Sequence, residues 1–144
     1  MSRLVVKQHS PDGYRAAAAL DAYLQENIDH EVLDLVRLRA SQLNGCAFCV
    51  DMHSLSLERA GVPTRKIYAV GAWREASAFT ERERAALALT EQVTFIASGV
   101  DDDTWRSAAH VFSKRELSDL ILAIGTINLW NRIGVSTHMS PPSV

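Results

Sequence analysis

Hydrophobic positions recur at three- and four-residue steps along most of the chain. Val32, Leu35, Val36, Ala40 and Leu43 trace one face of a helix, and Asn44-Gly45 is predicted to stop it. Upstream, Pro11-Asp12-Gly13 reads as a turn, followed by a first helix over residues 14–26 with an alanine-rich centre. Beyond Gly45, Cys46 opens a helical stretch that carries Cys49, His53, Leu57 and Ala60 before Gly61-Val62-Pro63 breaks it. Residues 64–70 read as a short helix. Thr80 and Glu83 fit a capping box that opens a long helix to about residue 97, closed by Gly99. Asp101, Asp102 and Asp103 place acids where a helix start welcomes them, and Ser113 with Glu116 forms a second capping box. The last helix, predicted over 116–133, carries Leu117, Leu120, Ile121, Leu122, Ile124, Ile127, Leu129 and Trp130, too wide a distribution for one buried stripe. Such a helix needs cover on several sides, and part of it is expected from another subunit. Residues 4–6 look strand-like, as do 93–96 inside a helical pattern, but no sheet is needed. The expectation is an all-α bundle, one domain over 1–144 without internal repeats, assembled into a homo-oligomer.

Composition narrows the function classes. The formal net charge is -2, so no basic excess exists to neutralise phosphates, and nucleic acid is not expected as a partner. Residues 1–10 lack the apolar run of a secretory leader, and no stretch of membrane-spanning length is uninterrupted by polar residues. The cytoplasm is therefore the expected location, with no membrane partner. In that reducing compartment a structural disulfide rarely persists, so the two cysteines, three positions apart, read as catalytic or metal-binding rather than as a staple.

The run Cys46-Ala47-Phe48-Cys49-Val50-Asp51-Met52-His53 carries the chemistry. On a helix, residues three and four apart share a face, so Cys46 neighbours Cys49 and Cys49 neighbours His53. The unpaired N–H groups and positive dipole end of a helix start favour a thiolate, the form of cysteine that attacks peroxides and disulfides. His53 is spaced to take the Cys49 proton and to return one to a leaving alkoxide or hydroxide. On this geometry Cys49 is the better candidate for the attacking sulfur. Cys46, nearer the loop and expected to be the more exposed, would resolve a sulfenic acid into a disulfide, and a dithiol reductant would reset the pair.

Other readings of the two cysteines compete. Half a zinc site would need two more ligands, and the remaining histidines show no paired spacing. Two inert buried thiols would leave Gly45 before them and His53 after them without a purpose. A thioredoxin-like domain shares CxxC but needs alternating strands and helices. No metal and no cofactor is expected.

The segment Leu38-Arg39-Ala40-Ser41-Gln42-Leu43-Asn44-Gly45-Cys46-Ala47-Phe48-Cys49-Val50-Asp51-Met52-His53 resembles the alkylhydroperoxidase AhpD-like branch of the carboxymuconolactone decarboxylase family. Trp73-Arg74-Glu75, the run from Phe79 to Leu87, and Ile127-Asn128-Leu129-Trp130-Asn131-Arg132 are similar to later segments of that family. The resemblance implies an all-α fold assembled as a homotrimer or homohexamer, and a peroxidase whose CxxC pair is activated through a glutamate–histidine relay. Cys46, Cys49 and His53 match the motif directly. The relay glutamate, twelve residues before the first cysteine, falls on Asp34, one methylene shorter, so that closer helices or a bridging water would be needed to reach His53. Glu31, one turn earlier, is the alternative carboxylate, and an exposed Asp34 paired with Arg37 is the structural alternative. Phe48 stands where the best-known branch carries another histidine.

The leading expectation is thus a peroxidase that reduces a hydroperoxide through a Cys46–Cys49 disulfide, with His53 as proton shuttle and Asp34 as orienter. The rivals are a thiol–disulfide oxidoreductase or redox stress sensor using the same pair, lactone decarboxylation, and a non-catalytic helical assembly module. Trp73, Trp105 and Trp130 read as core or interface anchors, and Asn131-Arg132 as a cap or a bridge between subunits. His9, His30, His110 and His138 read as surface or structural histidines.

Overall fold

Pro11 begins a helix rather than a turn in the computed structural model, which describes residues 2–143; Met1 and Val144, the outermost residues of the expected domain, lie outside it. Proline has its φ preset for a helix and lacks an N–H that the first turn would leave unpaired anyway. That helix, α2 (Pro11–Asn27), is preceded by a single turn, α1 (Val6–His9), which starts at the last of the strand-like residues 4–6. No strand occurs among the described residues.

The chain then forms α3 (His30–Asn44), α4 (Ala47–Arg59), α5 (Thr64–Tyr68), α6 (Glu81–Thr94), α7 (Asp102–Val111) and α8 (Lys114–Thr137). A 3₁₀ segment, Ala69–Ala72, follows α5, and another, Ile96–Ser98, follows α6. Both expected capping boxes are formed, Thr80 with Glu83 and Ser113 with Glu116, each satisfying two N–H groups at the helix start. The α6 helix ends three residues short of its expected limit, because Phe95 leaves helical geometry and turns, with Ile96, toward solvent.

The hub is α3, which packs against α4, α6 and α8. Its run from Val32 to Leu38 is buried without interruption. Val32 and Val36 enter a core with Ala86 and Leu89 of α6 and Leu120 and Ile124 of α8. Leu35 and Leu38 enter a second core with Leu57 of α4, Ile67, Trp73 and Leu87. Leu33 meets Leu24 of α2 and Ala123 of α8. A helix enclosed this way carries its polar groups at nearly full desolvation cost, so Asp34, Arg37 and Ser41, all buried within it, must be paired.

Helix α8 is only partly enclosed. Leu117, Leu120, Ile124 and Ile127 are buried, whereas Ile121, Leu122 and Leu129 remain exposed on the opposite side. Trp73 is a core anchor at 5% exposure; Trp105 is exposed. None of the helices is long and apolar enough to cross a membrane, among the described residues.

Candidate functional site

Gly45 sets the site. It caps α3 in the left-handed region, with φ 66° and ψ 30°, a conformation that costs glycine nothing and other residues a backbone strain. The Gly45 N–H donates to the Gln42 carbonyl and the Cys46 N–H to the Ser41 carbonyl, closing the end of α3. The chain reverses within two residues and Cys46 becomes the N-cap of α4, so that α4 runs back along α3.

This reversal brings α3 and α4 side chains together. His53 Nδ1 lies 3.1 Å from Asp34 Oδ1, a direct contact that needs no bridging water. Ser56, one turn beyond His53, donates its hydroxyl to Asp34 Oδ2 at 2.5 Å. Arg37 Nη1 reaches Asp34 Oδ1 at 3.3 Å, and its other nitrogen holds Asp21 of α2 at 2.9 Å. His30 places Nε2 3.3 Å from Asp34 Oδ2. Asp34 is 1% exposed, so the alternative of a solvated surface carboxylate does not hold, although its pairing with Arg37 is present. Glu31 is engaged elsewhere, by Lys66 Nζ at 2.7 Å.

Burial alone would push the Asp34 carboxyl up. Hydrogen bonds from His53 and Ser56, with the charges of His53 and Arg37, outweigh it and hold the group below the ordinary carboxylate range. An ionised carboxylate only accepts, so His53 donates through Nδ1 and leaves Nε2 as the nitrogen available to another proton.

Cys46 and Cys49 form a disulfide with a Cα–Cα separation of 5.4 Å. The expectation that Cys46 is the more exposed is not met: Cys46 is 2% and Cys49 3% exposed. The reason is α8, whose Gly134 passes directly over the Cys46 sulfur. Cys49, not Cys46, lines a cavity of about 340 Å³, together with His53, Phe48, Met52, Tyr14, Asp21, Trp130, Ile133 and Met139. Met52 and Met139, at 44% and 37% exposure, stand where the cavity meets solvent. Tyr14 and Trp130 pack edge to face across it with centroids 5.2 Å apart. Trp130 is therefore part of the cavity wall.

A polar tie fixes α8 against α3. Asn131 donates to Ser41 Oγ and accepts from Asn44, each at 2.9 Å, and Ser41 donates to the Arg37 carbonyl at 2.6 Å. Asn131 is 1% exposed and works inside the chain, not between subunits; Arg132 returns to Asn128 on its own helix. No cluster of His, Cys, Asp or Glu with metal-holding geometry occurs among the described residues.

His30, Arg37 and Ser56 were not singled out as site residues. His30 and Arg37 share a face of α3 with Asp34 at four- and three-residue spacing, and Ser56 shares a face of α4 with His53, so the signal existed. The contributions of Asp21, Tyr14, Trp130 and Gly134 depend on how α2 and α8 cross α4, for which the local pattern carries no signal.

An all-helical bundle with a vicinal cysteine pair at a helix start and a buried carboxylate–imidazole contact beside it defines a class, and comparison with known proteins agrees. Residues 11–92 match the carboxymuconolactone decarboxylase family, and the chain belongs to it, in the AhpD-like branch. It is 35% identical over 129 residues to the uncharacterized protein YdfG of Bacillus subtilis, covering 88% of each chain. The crystal structure of ATU0492 from Agrobacterium tumefaciens, a protein of unknown function suggested to be the antioxidant defence protein AhpD, superposes with a TM-score of 0.96 at 38% identity over the whole of both chains. An uncharacterized peroxidase-related protein of Ralstonia eutropha JMP134 with an alkylhydroperoxidase AhpD core shares the fold, with a TM-score of 0.83 at 21% identity over 96% of this chain and 75% of that one.

Proposed function

We propose that this protein is a thiol peroxidase that reduces organic hydroperoxides through the Cys46–Cys49 pair. The observation that carries the reading is that one cavity joins the Cys49 sulfur to an imidazole whose other nitrogen is held by a buried, ionised carboxylate. A carboxylate in that position orients the ring and stabilises the imidazolium that forms when the ring takes a proton.

The half-reactions balance as follows. His53 Nε2 removes the Cys49 proton, and the thiolate attacks the terminal peroxide oxygen. The O–O bond breaks, the sulfur becomes a sulfenic acid, and the alkoxide leaves as an alcohol with the proton that His53 returns. Cys46 then attacks the Cys49 sulfur, the S–O bond breaks, and hydroxide leaves as water with the Cys46 proton. The disulfide so formed accepts two electrons and two protons from an external dithiol, which is itself oxidised to a disulfide. We assign that dithiol to a reductant protein in a reducing compartment, the cytoplasm. The thiol–disulfide oxidoreductase or stress-sensor reading, which uses the same pair, ranks second. The uncovered α8 face of Ile121, Leu122 and Leu129 supports self-association; the homotrimer or homohexamer that the family resemblance implies is a proposal that light scattering would measure.

The test is peroxide turnover with a dithiol donor by the native protein and by Cys49→Ser. The native protein should turn over and the variant should fall to the background rate. Equal rates would remove the proposal, and faster turnover of model disulfides than of peroxides would favour the oxidoreductase.

A further inference from the structure

A glycine in the interior of a long helix needs a reason. Against alanine it costs about 1 kcal/mol of helix propensity, and α8 carries two, Gly125 and Gly134. Neither has a positive φ, so neither is required by backbone geometry. Their surroundings differ. A β-carbon built on Gly125 meets nothing within 4 Å, whereas one built on Gly134 would lie 2.8 Å from Cys46 Sγ and 3.8 Å from Cys49 Sγ. The first of these is far inside the roughly 3.5–4.0 Å at which non-bonded carbon atoms sit at their optimum, and sulfur is larger than carbon.

We propose that Gly134 is a positioning residue for the redox step: its bare Cα provides the space that Cys46 Sγ occupies when the pair is a disulfide. The inference rests on the reading that Cys46 and Cys49 cycle between dithiol and disulfide. The two states do not demand that space equally. A thiol sits at the end of a rotatable bond and swings aside, whereas each sulfur of the disulfide is tied to the other and through it to the start of α4. The backbone cannot retreat freely either, because Asn131, one turn before Gly134, is held to Ser41 and Asn44 of α3. A methyl group at position 134 would therefore act against the oxidised state more than against the reduced one.

The same packing divides the labour of the two sulfurs. The backbone of α8 covers Cys46, and Cys49 alone of the pair lines the cavity. Cys49 is then the sulfur that meets both the hydroperoxide and the incoming reductant thiol, and Cys46 exchanges only with Cys49.

The experiment equilibrates the native protein, Gly134→Ala and Gly125→Ala with graded ratios of reduced to oxidised dithiothreitol, and counts free thiols by alkylation and mass spectrometry. Gly134→Ala should move the midpoint at least tenfold toward the dithiol, about 30 mV for a two-electron couple. Gly125→Ala, the same change on the same helix, should match the native midpoint. A Gly134→Ala midpoint equal to the native one would overturn the proposal. Failure of the native protein to form the disulfide at any ratio would instead overturn the redox reading itself. Urea unfolding provides a second arm. Gly134→Ala should cost stability in the oxidised native background and lose that cost in a Cys46→Ala background, where the obstructing sulfur is gone, and an equal loss of stability in the two backgrounds would refute the contact.

Discussion

Two carboxylates in this chain, Asp34 buried on α3 and Glu91 part-buried on α6, have similar electrostatics and different prospects. Burial pushes each up, and in each case hydrogen bonds and neighbouring cations prevail and hold the group below its ordinary range. Glu91 is surrounded by Arg39, Arg74 and the Trp73 indole, all within 2.9 Å. None of these donors yields its proton near neutral pH, so the cluster can only hold α3, α6 and the segment after α5 together. Asp34 is met by two imidazoles, a hydroxyl and one guanidinium, and one of those imidazoles opens on the cavity that holds Cys49. Whether such a carboxylate serves architecture or chemistry is decided by whether its donors can exchange protons and what lies on their far side.

Breaking the comparison at its reactive end should have the largest effect. His53→Ala is expected to slow peroxide turnover by about 10²–10⁴-fold, the usual contribution of a positioned acid–base group, with a native circular dichroism spectrum. Asp34→Asn, which retains the shape but not the charge, should slow turnover by roughly 10²-fold, at the lower end of that range. Asp34→Glu should recover most of the loss if the carboxylate orients His53, and none of it if Asp34 merely fills space.

At the architectural end, Glu91→Gln should reverse the balance. Turnover is expected to stay within about twofold, while unfolding free energy falls by about 2–4 kcal/mol, since Arg39 is left part-buried without its counter-charge. Denaturant unfolding and steady-state assays on the same preparation would check both halves.

Acid sharpens the pair. The Asp34 carboxyl lies below its ordinary 3.8, so its contribution to stability is complete above that pH and is lost as pH falls through the depressed folded value. Asp34→Asn should flatten stability against pH in that acid window by up to about 1.4 kcal/mol per pH unit relative to the native chain. A native slope in the variant would contradict the assignment. The smallest effect is expected at His30, which is half exposed and adds a donor to a carboxylate already held by His53 and Ser56. His30→Ala should change turnover by less than about threefold, as one exposed ion pair contributes little.

Much of the architecture was legible because it is local. The capping boxes at Thr80 and Ser113 and the stop at Gly45 are each written within four residues. Pro11 was misjudged because proline serves both turns and first helical positions, and only the helix that follows decides between them. The proximity of Cys46 to Cys49 follows from helical pitch, and that of Asp34 to His53 could be anticipated from family resemblance. The burial of Cys46 could not, because it depends on where α8 crosses, some ninety residues later in the chain. The same holds for Trp130, whose place in the cavity wall is set by the Asn131 tie to α3.

The most direct measurement of the central claim starts from fully reduced protein and adds one equivalent of an organic hydroperoxide. Peptide mass mapping should then find Cys46 and Cys49 joined, two hydrogens lighter, with one equivalent of alcohol released. Both thiols still alkylatable beside unconsumed peroxide would contradict the account.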